Sequence, residues 1–290
     1  MIIVNMACGL ANRMFQYAFY LSLKERGYNV EVDFYKSATL PHENVPWNDI
    51  FPYAEIDQAS NFRVLILGGG ANLLSKLRRK YLPSLTNVIT MSTAFDTDLQ
   101  IDNDRKDKYI IGVFQSAAMV ESVCKKVKQC FSFLPFTDLR HLQLEKEMQE
   151  CESVAIHVRK GNDYQQRIWY QNTCTMDYYR KAIAEIKGKV KDPRFYVFTD
   201  NADWVRRHFT DFEYKIVEGN PVYGWGSHFD MQLMSRCKYN IISNSTYSWW
   251  GAYLNANSNK IVICPNIWFN PESCNEYTSS KLLCKGWIAL

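Results

Sequence analysis

The chain opens on an apolar run, Ile2-Ile3-Val4-Asn5-Met6, the pattern of a buried strand. Met14, Tyr17, Ala18 and Leu21 then recur at helical spacing until Lys24, Arg26 and Gly27 supply a stop, and Val30 to Phe34 reads as the next strand. Strand, loop, helix and strand within about thirty residues make a βαβ unit, which requires a right-handed crossover and a parallel sheet. Between Pro41 and Ile110 the pattern fades. Gly68-Gly69-Gly70 punctuates it, Lys76-Leu77-Arg78-Arg79-Lys80 forms a basic cluster, and Asp96 to Lys108 is polar. No element is assigned there. Tyr109 to Phe114 resumes as strand and Ala117 to Phe131 as helix.

The second half alternates regularly. Strands are predicted near Val154 to Val158, Phe195 to Thr199, Tyr214 to Val217, Asn240 to Ser243 and Ile261 to Cys264. Helices centred on Tyr178 to Ile186, Ala202 to His208, Phe229 to Cys237 and Tyr247 to Asn255 separate them. This order is that of a doubly wound parallel sheet, so the chain is α/β and divides into residues 1–150 and 151–290.

Composition narrows the function. With 290 residues, 47% of them hydrophobic, the chain can bury a substantial core. Lys plus Arg number 34 against 30 Asp plus Glu, a net charge of +4, too small for a dedicated nucleic-acid binder but compatible with an anionic small-molecule ligand. The nine cysteines contain no C-x-x-C pair and suggest neither a disulfide framework nor a zinc ribbon, so a reducing, cytoplasmic setting is expected. The apolar stretch from Ile2 to Leu23 lacks a basic leader and is interrupted by Asn5, Asn12, Arg13 and Gln16, so it reads as folded structure rather than a signal peptide. No other stretch approaches the ~20 apolar residues of a membrane span. The Lys76 to Lys80 cluster reads as a solvated helix face, with peripheral attachment to the inner face of a membrane as the alternative.

In an open parallel sheet, ligands bind beyond the carboxyl ends of the strands. The first strand of the second half ends in His157-Val158-Arg159-Lys160-Gly161-Asn162-Asp163-Tyr164. The planar fork of Arg159 suits a phosphate, and an ion pair with Asp163 explains the same spacing equally well. His157 shares a strand face with Arg159 and is either ligand or core. Asp200 at the next strand end is placed either to cap a helix or to accept hydrogen bonds from a purine or ribose. Asn244-Ser245-Thr246-Tyr247-Ser248 opens a helix, and its three hydroxyls at Ser245, Thr246 and Ser248 favour an anion at that N-terminus. The loop Ala7 to Arg13 lacks G-x-G-x-x-G, which argues against a dinucleotide enzyme; Gly9 would admit a close ligand, and Asn12 and Arg13 could donate to an oxygen-rich one. Asp96-Thr97-Asp98 and Asp102-Asn103-Asp104 read as solvated loop charges, with chelation of Mg²⁺ or Mn²⁺ on a nucleotide diphosphate by a metal-dependent transferase as the alternative, and no histidine spacing suggests zinc.

Three segments resemble the α-1,2-fucosyltransferase family, the galactoside 2-fucosyltransferase-like enzymes that use GDP-fucose. Gly9-Leu10-Ala11-Asn12-Arg13-Met14-Phe15-Gln16-Tyr17-Ala18 is similar to its G-L-G-N-Q-M-F-Q-Y-A motif, departing at Ala11 and Arg13. His157-Val158-Arg159-Lys160-Gly161, then Asp163-Tyr164, resembles H-x-R-R-G-D-Y, with Asn162 inserted and Lys160 in place of Arg. Asp230, Leu233-Met234-Ser235 and Asn244 to Ala252 resemble its D-x-x-L-M-S and N-S-S-F-S-W-W-G-A block. The resemblance implies a GT-B-like architecture of two Rossmann-like domains facing a cleft, with residues 1–150 on the acceptor side and 151–290 binding GDP-fucose. It implies metal-independent, inverting transfer of fucose to the 2-hydroxyl of a galactoside-terminated glycan, with no cofactor. Arg159 would offset charge on the departing β-phosphate, with Ser245 and Thr246 at the diphosphate and His157 and Asp200 near the nucleotide. Asp163, Asp230 and His157 are the candidate bases. Trp169, Tyr170 and Trp225 are candidates to stack on an acceptor sugar, or to pack in the core.

Overall fold

A computed structural model describes residues 1–34, 45–70, 73–97 and 107–290, apart from the side chains of Leu85, Asn162 and Asp163. The chain separates into two compact units, Met1–Ser132 and Phe133–Leu290. The first contains β1 (Ile2–Asn5), α1 (Leu10–Glu25), β2 (Val30–Asp33), α2 (Trp47–Ile50), α3 (Asn61–Ile66), α4 (Leu73–Tyr81), β3 (Val88–Thr90), β4 (Lys108–Ile111), α5 (Ala117–Ser122) and α6 (Cys124–Cys130). The second contains α7 (Leu139–Glu150), β5 (Glu152–Val158), α8 (Asn162–Gln166), α9 (Met176–Lys189), β6 (Pro193–Thr199), α10 (Ala202–His208), β7 (Tyr214–Val217), α11 (Phe229–Arg236), β8 (Tyr239–Ile241), α12 (Thr246–Tyr253), β9 (Val262–Cys264) and β10 (Ile288–Ala289).

The first unit holds a four-stranded sheet in the order β2-β1-β4-β3, every pair parallel. Its central strand β1 is buried because Ile2, Ile3 and Val4 point apolar groups to both faces. The helix predicted from Ala117 to Phe131 is interrupted at Val123, where a φ of −123° leaves the α region and separates α5 from α6.

The second unit holds a six-stranded parallel sheet in the order β10-β9-β8-β5-β6-β7. Counted from β5, this is the doubly wound Rossmann order, with its switch point between β5 and β8. Val154, Ile156 and Val158 of β5 pack with Tyr179, Ala182, Ile183 and Ile186 of α9, giving the core between sheet and helix. The division falls after Ser132, ahead of the boundary at 150/151 expected from the sequence, because α7 serves the second unit. Ser153 Oγ donates to Met148 O at 2.6 Å, and Tyr196 Oη donates to Glu147 at 2.9 Å.

The Lys76 to Lys80 cluster lies on α4, and only part of it is the solvated face expected. Arg78 donates to Leu65 O at 2.7 Å and Arg79 to Gly68 O and Gly70 O at 2.6 and 2.9 Å, so both guanidinia hold the carbonyls that end α3 and the turn after it.

Candidate active site

The strand order reverses between β5 and β8, the point where open parallel sheets take ligands, and the chain places polar groups at the carboxyl ends of both strands. His157 is the penultimate residue of β5, and Arg159 follows directly after its last, Val158. His157 Nδ1 lies 2.7 Å from Ser243 Oγ across the switch point. Burial, reinforced by the Arg159 charge, lowers the His157 pKa to about 3, so the ring is neutral throughout the physiological range. The Arg159 guanidinium donates to Asn244 O at 3.2 Å and lies 3.9 Å from the centroid of the Tyr170 ring. These contacts fix its plane at the mouth of the sheet.

Ser245 is the N-cap of α12, yet its side chain makes no capping hydrogen bond. The turn is instead closed through backbone, Ser245 N donating to Ser243 O at 2.8 Å. A cap left open by its own hydroxyl, beside a fixed guanidinium, is suited to a phosphate. Two neighbours named from the sequence have structural work instead. Asn244 is buried and its amide donates to Trp268 O at 3.1 Å and Tyr170 O at 3.4 Å, tying loops together. Ser248 is fully buried, its hydroxyl folded back onto Ser245 O at 3.1 Å.

Asp200 follows β6 and anchors the neighbouring loop. Its Oδ1 accepts from Lys160 N at 2.7 Å and Gly161 N at 2.8 Å, so one carboxylate oxygen holds the backbone that follows β5. Gly161 is required by that approach, since a Cβ there would stand 2.7 Å from Asp200 Oδ2. Asn201 caps α10, accepting from Trp204 N at 3.0 Å, while its Nδ2 donates to Lys160 O at the same distance. Lys160 itself is buried, with its ammonium 4.0 Å from the Tyr164 ring centroid and 5.2 Å from that of Trp204. The ion pair weighed for Arg159 would involve the Asp163 side chain, which lies outside the described residues.

A second polar group surrounds Asp230 at the start of α11. Asn220 Nδ2 donates to Asp230 at 2.5 Å, His141 Nε2 lies 2.8 Å from Asn220 Oδ1, and His141 Nδ1 lies 2.6 Å from Asp138. Burial raises the Asp230 pKa to about 6. Tyr247 joins this group to the switch point: its hydroxyl donates to Ser227 O at 2.7 Å and accepts from Met231 N at 2.9 Å, and its ring is 6.1 Å from that of His157.

Most of the remaining candidates fall in the first unit. Gly9 is the N-cap of α1 with a φ of −72°, which any residue adopts; the left-handed position is Cys8, with φ of 69°. Asn12 Oδ1 accepts from Gln115 at 3.2 Å, and Arg13 is buried with its guanidinium 4.6 Å from the Phe34 ring centroid. Arg13 is thus packed inside this unit, while Gly9 is half-buried at the start of α1. Asp33 and Phe34, at the end of β2, line a cavity of about 930 Å³ with Trp47, Asn48, Asp49 and Gln58. Of the aspartates at 96–104, Asp96 accepts from Ser92 Oγ at 3.2 Å, while Asp98, Asp102 and Asp104 lie outside the described residues. Trp169 and Trp225 are exposed, as stacking would require, and Tyr170 supports Arg159.

Residues 92–290, more than half of the chain, match glycosyl transferase family 11. The chain belongs to this family. It is 27% identical to the O-antigen biosynthesis glycosyltransferase WbnK of Escherichia coli, over 97% of this chain and 98% of that one. It is also 27% identical to an E. coli alpha-1,2-colitosyltransferase, over 95% of each. With the mouse galactoside 2-alpha-L-fucosyltransferase Sec1 it shares 29% identity over 40% of this chain and 32% of that one. Among solved structures, the NodZ alpha-1,6-fucosyltransferase soaked with GDP-fucose superposes with a TM-score of 0.51 at 14% identity, covering 87% of this chain and 92% of that one. The GT-B-like α/β fold expected from the sequence is thus shared.

Sequence reading of this family 11 chain did not single out Ser243, the packing of Lys160 on Trp204, or the Asn220–Asp230 pair. Each depends on a partner from another element of the fold. Only Ser243 carried a local signal, its position at the end of a predicted strand.

Proposed function

We propose that the protein is an inverting, metal-independent glycosyltransferase that moves L-fucose from GDP-β-L-fucose to the 2-hydroxyl of a terminal β-galactoside, giving an α-1,2 linkage. The observation that carries this reading is the switch point between β5 and β8, where Arg159 donates to Asn244 O just ahead of α12 and the cap residue Ser245 makes no capping hydrogen bond of its own. The α-1,2 linkage in the names of relatives and the GDP-fucose of the NodZ structure support the choice of reaction.

The bond from the sugar C1 to the β-phosphate oxygen breaks, its electron pair leaving with GDP, as the acceptor oxygen bonds to C1 from the opposite face. Arg159, Ser245, Thr246 and the α12 N-terminus stabilise the departing diphosphate. Asp200 receives hydrogen bonds from the nucleoside through its second oxygen. His157 acts as a neutral hydrogen-bond partner through Nε2, since a group with a pKa of about 3 is too weak a base to take the acceptor proton near neutrality. That proton passes to a carboxylate, Asp163 or Asp230, and the pKa of about 6 at Asp230 suits the task. The cavity at the end of β2, with an aromatic wall and the carboxylates of Asp33 and Asp49, is suited to a neutral, hydroxyl-rich acceptor.

The colitosyltransferase relative supports a second donor, GDP-colitose, whose sugar is fucose lacking one hydroxyl. Calorimetric titration of EDTA-treated protein with GDP, UDP and ADP tests the nucleotide. Selective GDP binding is expected, followed by turnover of GDP-fucose or GDP-colitose with β-galactosides. Binding without selectivity, or activity only with added Mn²⁺, would overturn the reading.

A further inference from the structure

We propose that α4 is a docking surface for an anionic lipid bilayer. The helix is inverted relative to an ordinary surface helix, which turns its apolar stripe to the core and its polar face to water. Here the inward side is polar: Ser75 is fully buried, and Arg78 and Arg79 grip the backbone carbonyls of residues 65–70. The outward side is apolar. Leu73, Leu77 and Tyr81 follow one another at a spacing of four residues with Leu74 beside them, and they are 72%, 43%, 64% and 59% exposed in that order. Leu82 continues the exposed run past the helix end, and on α3, whose C-terminal carbonyls the arginines hold, Phe62 and Ile66 are also exposed at that spacing. Single exposed leucines need no explanation, but an ordered stripe backed by buried polar groups does.

Charge identifies the occupant. The exposed Lys76 and Lys80 flank the stripe on one side of the helix. Between Asp57 and Asp96 the chain has no acidic residue at all, while it carries Arg63, Lys76, Arg78, Arg79 and Lys80. A leucine and tyrosine stripe edged by lysines is the composition of a helix that lies in a bilayer interface, with its apolar side among the acyl chains and its ammonium groups at anionic headgroups. A second copy of the chain packed antiparallel across the same stripe would oppose lysine to lysine.

The test is co-sedimentation of the full chain with phosphatidylcholine vesicles, with and without about 30% phosphatidylglycerol. The wild-type protein is expected to bind the anionic vesicles and to be released by salt. Leu73→Ser with Leu77→Ser should weaken binding at least about tenfold, and Lys76→Glu with Lys80→Glu should weaken it severalfold, with GDP affinity unchanged in both. All four side chains are exposed, so thermal melting should match wild type, and the lysine pair keeps the test decisive should the serine pair misfold. Failure to bind anionic vesicles, binding that neither pair alters, or a concentration-dependent oligomer abolished by the serine pair would overturn the proposal.

Discussion

Arg159 is held on two sides, by the Tyr170 ring at 3.9 Å and by Asn244 O at 3.2 Å, so the direction of its fork is set before any ligand arrives. A lysine there keeps the charge but loses the plane and the paired donors. Arg159→Lys should therefore lower kcat by about 10²- to 10³-fold, the scale of losing one preorganised donor to developing charge, while GDP affinity falls less. Single-turnover kinetics beside calorimetry would separate the two, and near-normal kcat would remove Arg159 from the leaving-group role. At Asp230 the effect is on stability. Its folded pKa of about 6 exceeds the ordinary aspartate value of 3.8, so the folded state takes up a proton first as pH falls. Protonation consequently favours folding by about 1.4 kcal/mol at pH 5 relative to pH 8. Asp230→Asn lacks that gain, and the contributions of His157 and His228, depressed to about 3 and 4, are common to both proteins. The variant should thus be favoured relative to wild type more at pH 8 than at pH 5, read from urea unfolding; a pH-independent difference would deny the raised pKa. Arg159 and His157 were legible because they follow a strong strand pattern. Asn244 and Ser248 were not, since an amide or hydroxyl in a polar turn gives no local sign of whether it faces a ligand or its own backbone.

The helices that follow β6 and β8 start in different ways, and the difference separates binding from stability. α10 is capped by the Asn201 side chain, whereas α12 leaves the Ser245 hydroxyl out of its cap. Asn201→Ala should cost about 1 kcal/mol of stability, the usual worth of a cap. Ser245→Ala should leave the melting temperature nearly unchanged yet weaken GDP binding several-fold, and paired with Thr246→Ala at least about tenfold. A large loss of stability with unaltered GDP affinity in Ser245→Ala would return that residue to simple capping. Periodicity located these helices well: α10 spans Ala202–His208, as expected, and α11 ends within a residue of its predicted limit. It failed between Pro41 and Ile110, where β3 and α2 offer three and four residues, too few to establish a period. α4 was obscured for another reason, because its apolar and polar faces are reversed with respect to the core.

At the scale of the whole molecule, the division of the chain follows from where α7 packs. Met148 is fully buried, its carbonyl accepts from Ser153, and Glu147 receives Tyr196 Oη and pairs with Lys215 at 2.6 Å. Arg236 pairs with Glu145 at 2.8 Å, and His141 enters the chain of hydrogen bonds that reaches Asp230 through Asn220. Each of these partners belongs to the second unit. A boundary drawn at the first residue of the regular strand-helix alternation removes this helix, because an amphipathic helix preceding a sheet carries no mark of which side it will join. A fragment of residues 133–290 should therefore unfold cooperatively and bind GDP with an affinity close to that of the full chain, while transferring no sugar. A fragment of residues 151–290 exposes the surface that covered Met148 and Leu144, and it should lose several kcal/mol, the scale of removing buried large side chains. Parallel urea melts and GDP titrations of the two fragments would decide it. Equal stability would place the boundary after α7, and failure of the longer fragment to bind GDP would show that the nucleotide needs residues of the first unit.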